Sequence, residues 1–125
     1  MLPESYSRAD AVANIQSVSL LGLAFAQGRG DLLRVAMSDR IHQPYRSQIC
    51  TLLPKLLPLA GSHGILGAAL SGAGPSILAI TGSEADVPRA SAAIRDALAG
   101  TIEAELLVCR FVPTGAKQVL DSAKG

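Results

Sequence analysis

Over residues 67–80 the chain reads Gly-Ala-Ala-Leu-Ser-Gly-Ala-Gly-Pro-Ser-Ile-Leu-Ala-Ile, two short apolar runs separated by residues 71–76, none of them charged and none large. Runs that close together, bounded by glycine, must pair as a hairpin or form a strand-loop-strand unit. Residues 65–70 and 76–81 are therefore read as strands. On spacing alone the segment between them is a tight connection, with Gly72 and Gly74 supplying backbone angles closed to other residues and Pro75 fixing the exit. The same lack of side chains lets a ligand or another backbone come to contact distance, with the hydroxyls of Ser71 and Ser76 at the rim. The segment is neither Gly-x-x-x-x-Gly-Lys-Ser/Thr, since no Lys follows the second glycine, nor Gly-x-Gly-x-x-Gly opening a helix.

A length of 125 residues fits one domain, and 49% hydrophobic with 17% charged residues describes a globular chain. Aromatic residues make up only 3%, with no Trp, so the core must be built from Leu, Ala, Val and Ile. The net charge of +1 and the scattered Lys and Arg residues argue against nucleic acid as a partner. The longest apolar stretch, residues 20–26, is too short to span a bilayer, and no charged n-region precedes a signal-like segment; a soluble, cytoplasmic protein is expected. Cys50 and Cys109 lack zinc-site spacing and are expected to be buried free thiols.

Helical spacing begins near Ser7, where Ala11, Ile15, Val18, Gly22 and Phe25 share one face, and Gly28 stops it as a left-handed cap. Asp31 is read as the N-cap of a shorter helix to about Ser38, with Leu32, Val35 and Ala36 inward. Residues 41–46 are read as a loop, because Pro44 pushes Gln43 away from helical geometry. Thr51 would cap a third helix that tolerates Pro54 in its first turn and is cut short or kinked by Pro58. Ser83-x-x-Asp86 resembles a capping box ahead of Val87, Ala90, Ile94 and Ala97, with a stop at Gly100. Residues 102–112 alternate as a long strand, with Glu103 and Glu105 on the face turned to water, before a last short element at residues 117–123. Helices first, then strand, strand, helix, strand, suit an α+β layer architecture.

Leu-Ser-Gly-Ala-Gly-Pro-Ser at residues 70–76 resembles the third motif of the GHMP kinases, and residues 39–46, Asp-Arg-Ile-His-Gln-Pro-Tyr-Arg, with Leu2-Pro3-x-x-Tyr6 at the start, are similar to its homoserine kinase family. The resemblance runs over nearly the whole chain but covers only the carboxyl-terminal domain. The Pro-x-x-x-Gly-Leu-Gly-Ser-Ser-Ala phosphate motif of the amino-terminal ATP-binding domain has no counterpart here. It implies a ferredoxin-like two-layer sandwich with extra amino-terminal helices over residues 1–125. The implied activity is ATP-dependent phosphorylation of the L-homoserine hydroxyl in threonine biosynthesis, with ATP and Mg2+ used by the full-length enzyme and neither bound by this chain alone. The departure from the family is Pro58, which interrupts a helix usually drawn without it.

The resemblance also implies roles for individual residues. Arg46 occupies the position that helps hold the amino acid substrate, where a guanidinium offers a planar fork of donors to a carboxylate. Ser71, Gly72, Ala73, Gly74, Pro75 and Ser76 form the active-site glycine loop, packing beside the phosphate loop of the other domain. No residue is assigned as a catalytic base or metal ligand: His42 is read as a hydrogen-bonding loop residue, His63 as a turn residue, and Tyr45 as packing beside Arg46. The expected partners are L-homoserine, ATP, the missing amino-terminal domain and a second copy of the chain, since a cut domain exposes apolar surface. The alternatives are another GHMP kinase of the sugar or mevalonate type, or a freestanding ferredoxin-like ligand-binding or oligomerisation module.

Overall fold

The structure is a computed structural model that describes residues 4–100 and 104–115. The expected element at residues 117–123, the Leu2-Pro3 start and Glu103 lie outside the described residues. Helix α1 is Arg8–Gln27, capped by the Ser7 hydroxyl, which accepts from the Asp10 N–H at 3.0 Å, and closed by Gly28 in the left-handed conformation at φ 63°. A turn of 3-10 helix, Gly30–Leu32, leads into the one-turn helix α2 (Leu33–Ala36). Helix α3 (Gln43–Arg46) and helix α4 (Leu53–Leu56) follow, the latter continuing as a 3-10 turn at Leu57–Leu59. Strands β1 (Ile65–Leu70) and β2 (Ile77–Thr81) then pair, and helix α5 (Val87–Leu98) comes after a 3-10 turn at Glu84–Asp86.

The hairpin forms where the apolar runs stand. β1 and β2 are antiparallel, pairing Leu70 with Ile77 at the loop end and Ile65 with Thr81 at the other, with an irregularity between Ile65 and Gly67. Gly67, at the end of that irregularity, is tightly packed. A Cβ on Gly67 would lie 2.5 Å from Met37 Sδ and 3.0 Å from the Leu33 carbonyl oxygen, so β1 runs directly beneath α2. Ala24, Leu33, Met37 and Ile80 form the buried cluster between α1, α2 and the hairpin, and Leu53, the first residue of α4, is fully buried. Helices packed on an antiparallel pair make this an α+β domain, as the element order implied.

Several elements depart from the expectations. The face of α1 carrying Ile15, Val18 and Phe25 is exposed, at 66%, 69% and 52%. The inward stripe is instead Ala13, Asn14, Ser17, Leu21 and Ala24. Asn14 and Ser17 face inward because they have partners there, Asp39 and Ser38, while the small residues permit close approach. By length and composition alone α1 is apolar enough to cross a bilayer, but this polar docking makes it a helix of the domain. Asp31 caps no helix; it sits in the 3-10 turn, paired with Arg29 at 2.7 Å. Val35 is exposed rather than inward. Leu52, not Thr51, takes the capping position before α4, and Pro54 falls in the first turn while Pro58 sits in the 3-10 turn that ends it. Residues 104–112 make no strand among the described residues: alternation marks two faces of an extended chain but supplies no neighbouring backbone to pair with. They carry Phe111 to an edge contact with Phe25, ring centroids 5.8 Å apart, and Arg110 to Glu84 at 3.0 Å. Cys50 is buried, whereas Cys109 is exposed on this segment.

Candidate functional site

Residues 39–46, expected to be a loop, are organised by one carboxylate. Asp39 Oδ1 accepts from Asn14 Nδ2 at 2.6 Å, from the Ile41 N–H at 2.8 Å and from the His42 N–H at 3.1 Å. Its Oδ2 accepts from the N–H groups of His42 and Gln43. These are the orphan donors at the start of α3, so Asp39 satisfies what would otherwise be bare N–H groups. Pro44, read as a helix breaker, lies in the first turn, where its missing N–H costs no hydrogen bond. Partial burial pushes the Asp39 carboxyl up, but the Asn14 amide and the backbone N–H groups of Gln43, Ile41 and His42 outweigh it, so its pKa lies below the usual carboxylate value.

The turn does not end at Arg46. The Arg46 carbonyl accepts from the N–H of Ile49 at 3.0 Å and of Cys50 at 2.7 Å, so residues 43–50 form one wound segment. Both of its ends are fastened to the glycine-rich bend. Gln43 Oε1 accepts from the Leu70 N–H at 2.9 Å, just before the bend, and the Cys50 thiol donates to the Pro75 carbonyl at 3.6 Å, near its exit. Arg46 lies between these two anchors. Its Nε donates to His42 Nε2 at 3.2 Å, and among the described residues no carboxylate pairs with its terminal nitrogens. A guanidinium held by one edge keeps its two outer nitrogens for a carboxylate.

The bend itself closes on the Ser71 N–H, which donates to the Ser76 carbonyl at 2.8 Å, and on the Gly74 N–H, which donates to the Ser71 carbonyl at 3.1 Å. Gly72 and Gly74 have φ of 59° and 83°, the left-handed values expected of them. Apart from Gly74, which is half-buried, the bend is exposed, and within the described residues nothing bonds the N–H groups of Gly72 and Ala73. A cleft of about 370 Å³ opens beside this assembly, with Asn14, Asp39 and His42 at its polar part and Val18, Leu78 and Phe111 at its apolar part. His63 is a turn residue with φ 51°, as read, and Glu105 is exposed. The sequence reading found Arg46 and the bend but missed Asp39, Gln43, Asn14 and Cys50. Asp39 was partly findable, since Asp side chains bond to backbone N–H groups a few residues on in turns. The other three act across 25 to 27 positions of sequence and leave no local pattern.

An α+β domain whose exposed glycine-rich bend is tied to an arginine-bearing turn is the class of fold and site described so far. The family described as GHMP kinases C terminal matches residues 23–100, and the chain belongs to that family. The chain is 51% identical to homoserine kinase of Deinococcus radiodurans over 78 residues, 62% of this chain and 25% of that protein. It is 37% identical to homoserine kinase of a Synechococcus species over 110 residues, 88% of this chain and 34% of that protein. Among solved structures it is similar to homoserine kinase from Cytophaga hutchinsonii, with a TM-score of 0.70 and 28% identity over 78% of this chain and 31% of that one. The chain thus spans between a quarter and a third of the length of these curated relatives.

Proposed function

We propose that this chain is the carboxyl-terminal, substrate-holding part of a homoserine kinase, a soluble cytoplasmic enzyme of threonine biosynthesis that transfers the γ-phosphoryl group of ATP to the L-homoserine hydroxyl. The observation that carries the reading is the setting of Arg46: its Nε is taken by His42, its outer nitrogens face no carboxylate among the described residues, and its turn is fastened to both ends of the bend. Arg46 holds the amino acid carboxylate as a bidentate pair, which fixes the orientation of the hydroxyl. Ser71, Gly72, Ala73, Gly74, Pro75 and Ser76 do not line the cleft of about 370 Å³; on this reading they form the glycine loop that lies beside the nucleotide-binding part of the enzyme, where free N–H groups at Gly72 and Ala73 suit an anionic oxygen. Among the described residues no three His, Cys, Asp or Glu side chains gather as a metal cage; magnesium in a phosphoryl-transfer site is held largely by phosphates and one or two carboxylates, and this reading assigns the ion and the nucleotide to the remainder of the polypeptide.

In the complete enzyme, Arg46→Ala raises the KM for L-homoserine by about 10- to 100-fold, the loss of a charge-assisted bidentate pair, and leaves the KM for ATP within twofold. Unchanged constants for both substrates would remove the carboxylate role. The 125-residue chain alone, given ATP and L-homoserine, yields no phosphohomoserine; detectable product would show that the nucleotide site is in this chain.

A further inference from the structure

Gln43 is buried, 6% exposed, and is the one buried polar side chain among the described residues. It is also the point where three parts of the domain meet. Its Nε2 donates to the Met37 carbonyl at 3.3 Å, its Oε1 accepts from the Leu70 N–H at 2.9 Å, and its own N–H donates to Asp39. Leu70 is the last residue of β1, and the bend begins at the next position. The Arg46 turn begins at Gln43 itself, and the Ser47 N–H and hydroxyl both bond to its carbonyl, at 2.9 and 2.8 Å. One amide therefore ties the start of the arginine turn to the root of the bend, with the Cys50 contact to Pro75 as the fastening at the other end.

Burying an amide is tolerated only when its hydrogen-bonding capacity is used. A hydrophobic residue would fill the same volume without that requirement, and would leave the turn free to slide along the strand end. Resting on the substrate-holding role given above to Arg46, we infer that Gln43 is a positioning residue that holds Arg46 in register with the glycine bend, acting on substrate orientation without touching the substrate.

The test uses the complete enzyme with Gln43→Met, which keeps length and volume but removes both side-chain hydrogen bonds, and Gln43→Asn, which keeps the amide one methylene shorter and weakens both bonds without burying a charge. Unfolding midpoints are measured beside both KM values. Gln43→Met raises the KM for L-homoserine by about 10-fold or more with the KM for ATP within twofold, the cost expected when a holding group is displaced by about an ångström. Gln43→Asn gives a smaller rise, and decides the matter by the same two constants should Gln43→Met not fold. In an Arg46→Ala background the Gln43→Met change adds less than about twofold, because its effect passes through Arg46. A variant that unfolds at a lower temperature but keeps the wild-type KM for homoserine, or a Gln43→Met effect undiminished in the Arg46→Ala background, overturns the inference. An Arg46→Ala enzyme with unchanged homoserine KM overturns the underlying reading, and the two failures are thereby told apart.

Discussion

A carboxylate with four donors aimed at it behaves differently from one in water. Asp39 receives Asn14 and the N–H groups of Ile41, His42 and Gln43, and its pKa in the folded chain is lowered from the ordinary value. A depressed folded value means that the ionised form stabilises the fold above the unfolded value of about 4, and that this contribution is lost as pH falls through the folded value. Asp39→Ala removes the acceptor altogether and is expected to cost about 1–2 kcal/mol at neutral pH, the range for deleting a helix cap. Asp39→Asn keeps one acceptor oxygen and costs less, and it flattens the fall in stability on the acid side. Urea midpoints at pH 7 and pH 3 measure both effects; a wild-type and an Asp39→Asn chain with the same acid loss would show that Asp39 is not the group titrating. A second residue, Gly74, tests the bend. At φ 83°, and with an added Cβ placed 3.1 Å from Leu70 Cδ1, Gly74→Ala is expected to destabilise by about 1 kcal/mol.

Elements whose signal is local were legible in the sequence, and elements defined by a neighbour were not. The hairpin was readable because glycine bounds two apolar runs, and α5 because of its spacing and the stop at Gly100; the capping box expected at Ser83 and Asp86 does not form, the Ser83 hydroxyl donating to the Asp86 carboxylate instead of either side chain capping a backbone N–H. In α1 the helix was readable but its inward face was not. Ile15, Val18 and Phe25 are the more hydrophobic stripe, yet the half-buried face is the one with Asn14 and Ser17, whose partners at Asp39 and Ser38 lie more than twenty positions away. Residues 104–112 alternate correctly and still form no ladder among the described residues, since pairing depends on another backbone edge. The site divides in the same way: Arg46 and the bend are sequence motifs, whereas their fastening through Gln43 and Cys50 exists only in the fold. Gly67 belongs to this second kind, invisible as a packing position until β1 is laid under α2. Gly67→Ala forces the Met37 thioether and the Leu33 backbone apart from the strand, and is expected to cost about 1–3 kcal/mol, the range for overpacking a core. Thermal unfolding of the chain checks it, and a loss no larger than that of Gly74→Ala would mean that Met37 simply swings away and α2 does not move.

At the scale of the whole chain the distribution of apolar surface is lopsided. Val18 and Phe25 on α1, Leu78 on β2 and Phe111 beyond α5 are all substantially exposed and line one cleft. Ile15, Leu107 and Val112 extend the set of exposed apolar residues, at 66%, 71% and 73%. Scattered apolar residues are ordinary on a protein surface, but a group gathered around one cleft favours association. The curated relatives are three to four times longer than the part this chain covers, so a larger polypeptide has other surface available to cover such a face. Alone, the chain has only its own copies. It is expected to associate, with a light-scattering mass at least twice the 12.8 kDa of one chain. Replacing Val18 and Phe111 together by Ser should lower that mass toward one chain without shifting the unfolding midpoint by more than a few degrees, because neither side chain is in the buried cluster. A wild-type chain that scatters as a single 12.8 kDa particle would mean that the apolar cleft is too narrow, or too well wetted at Asn14 and Asp39, to drive self-association.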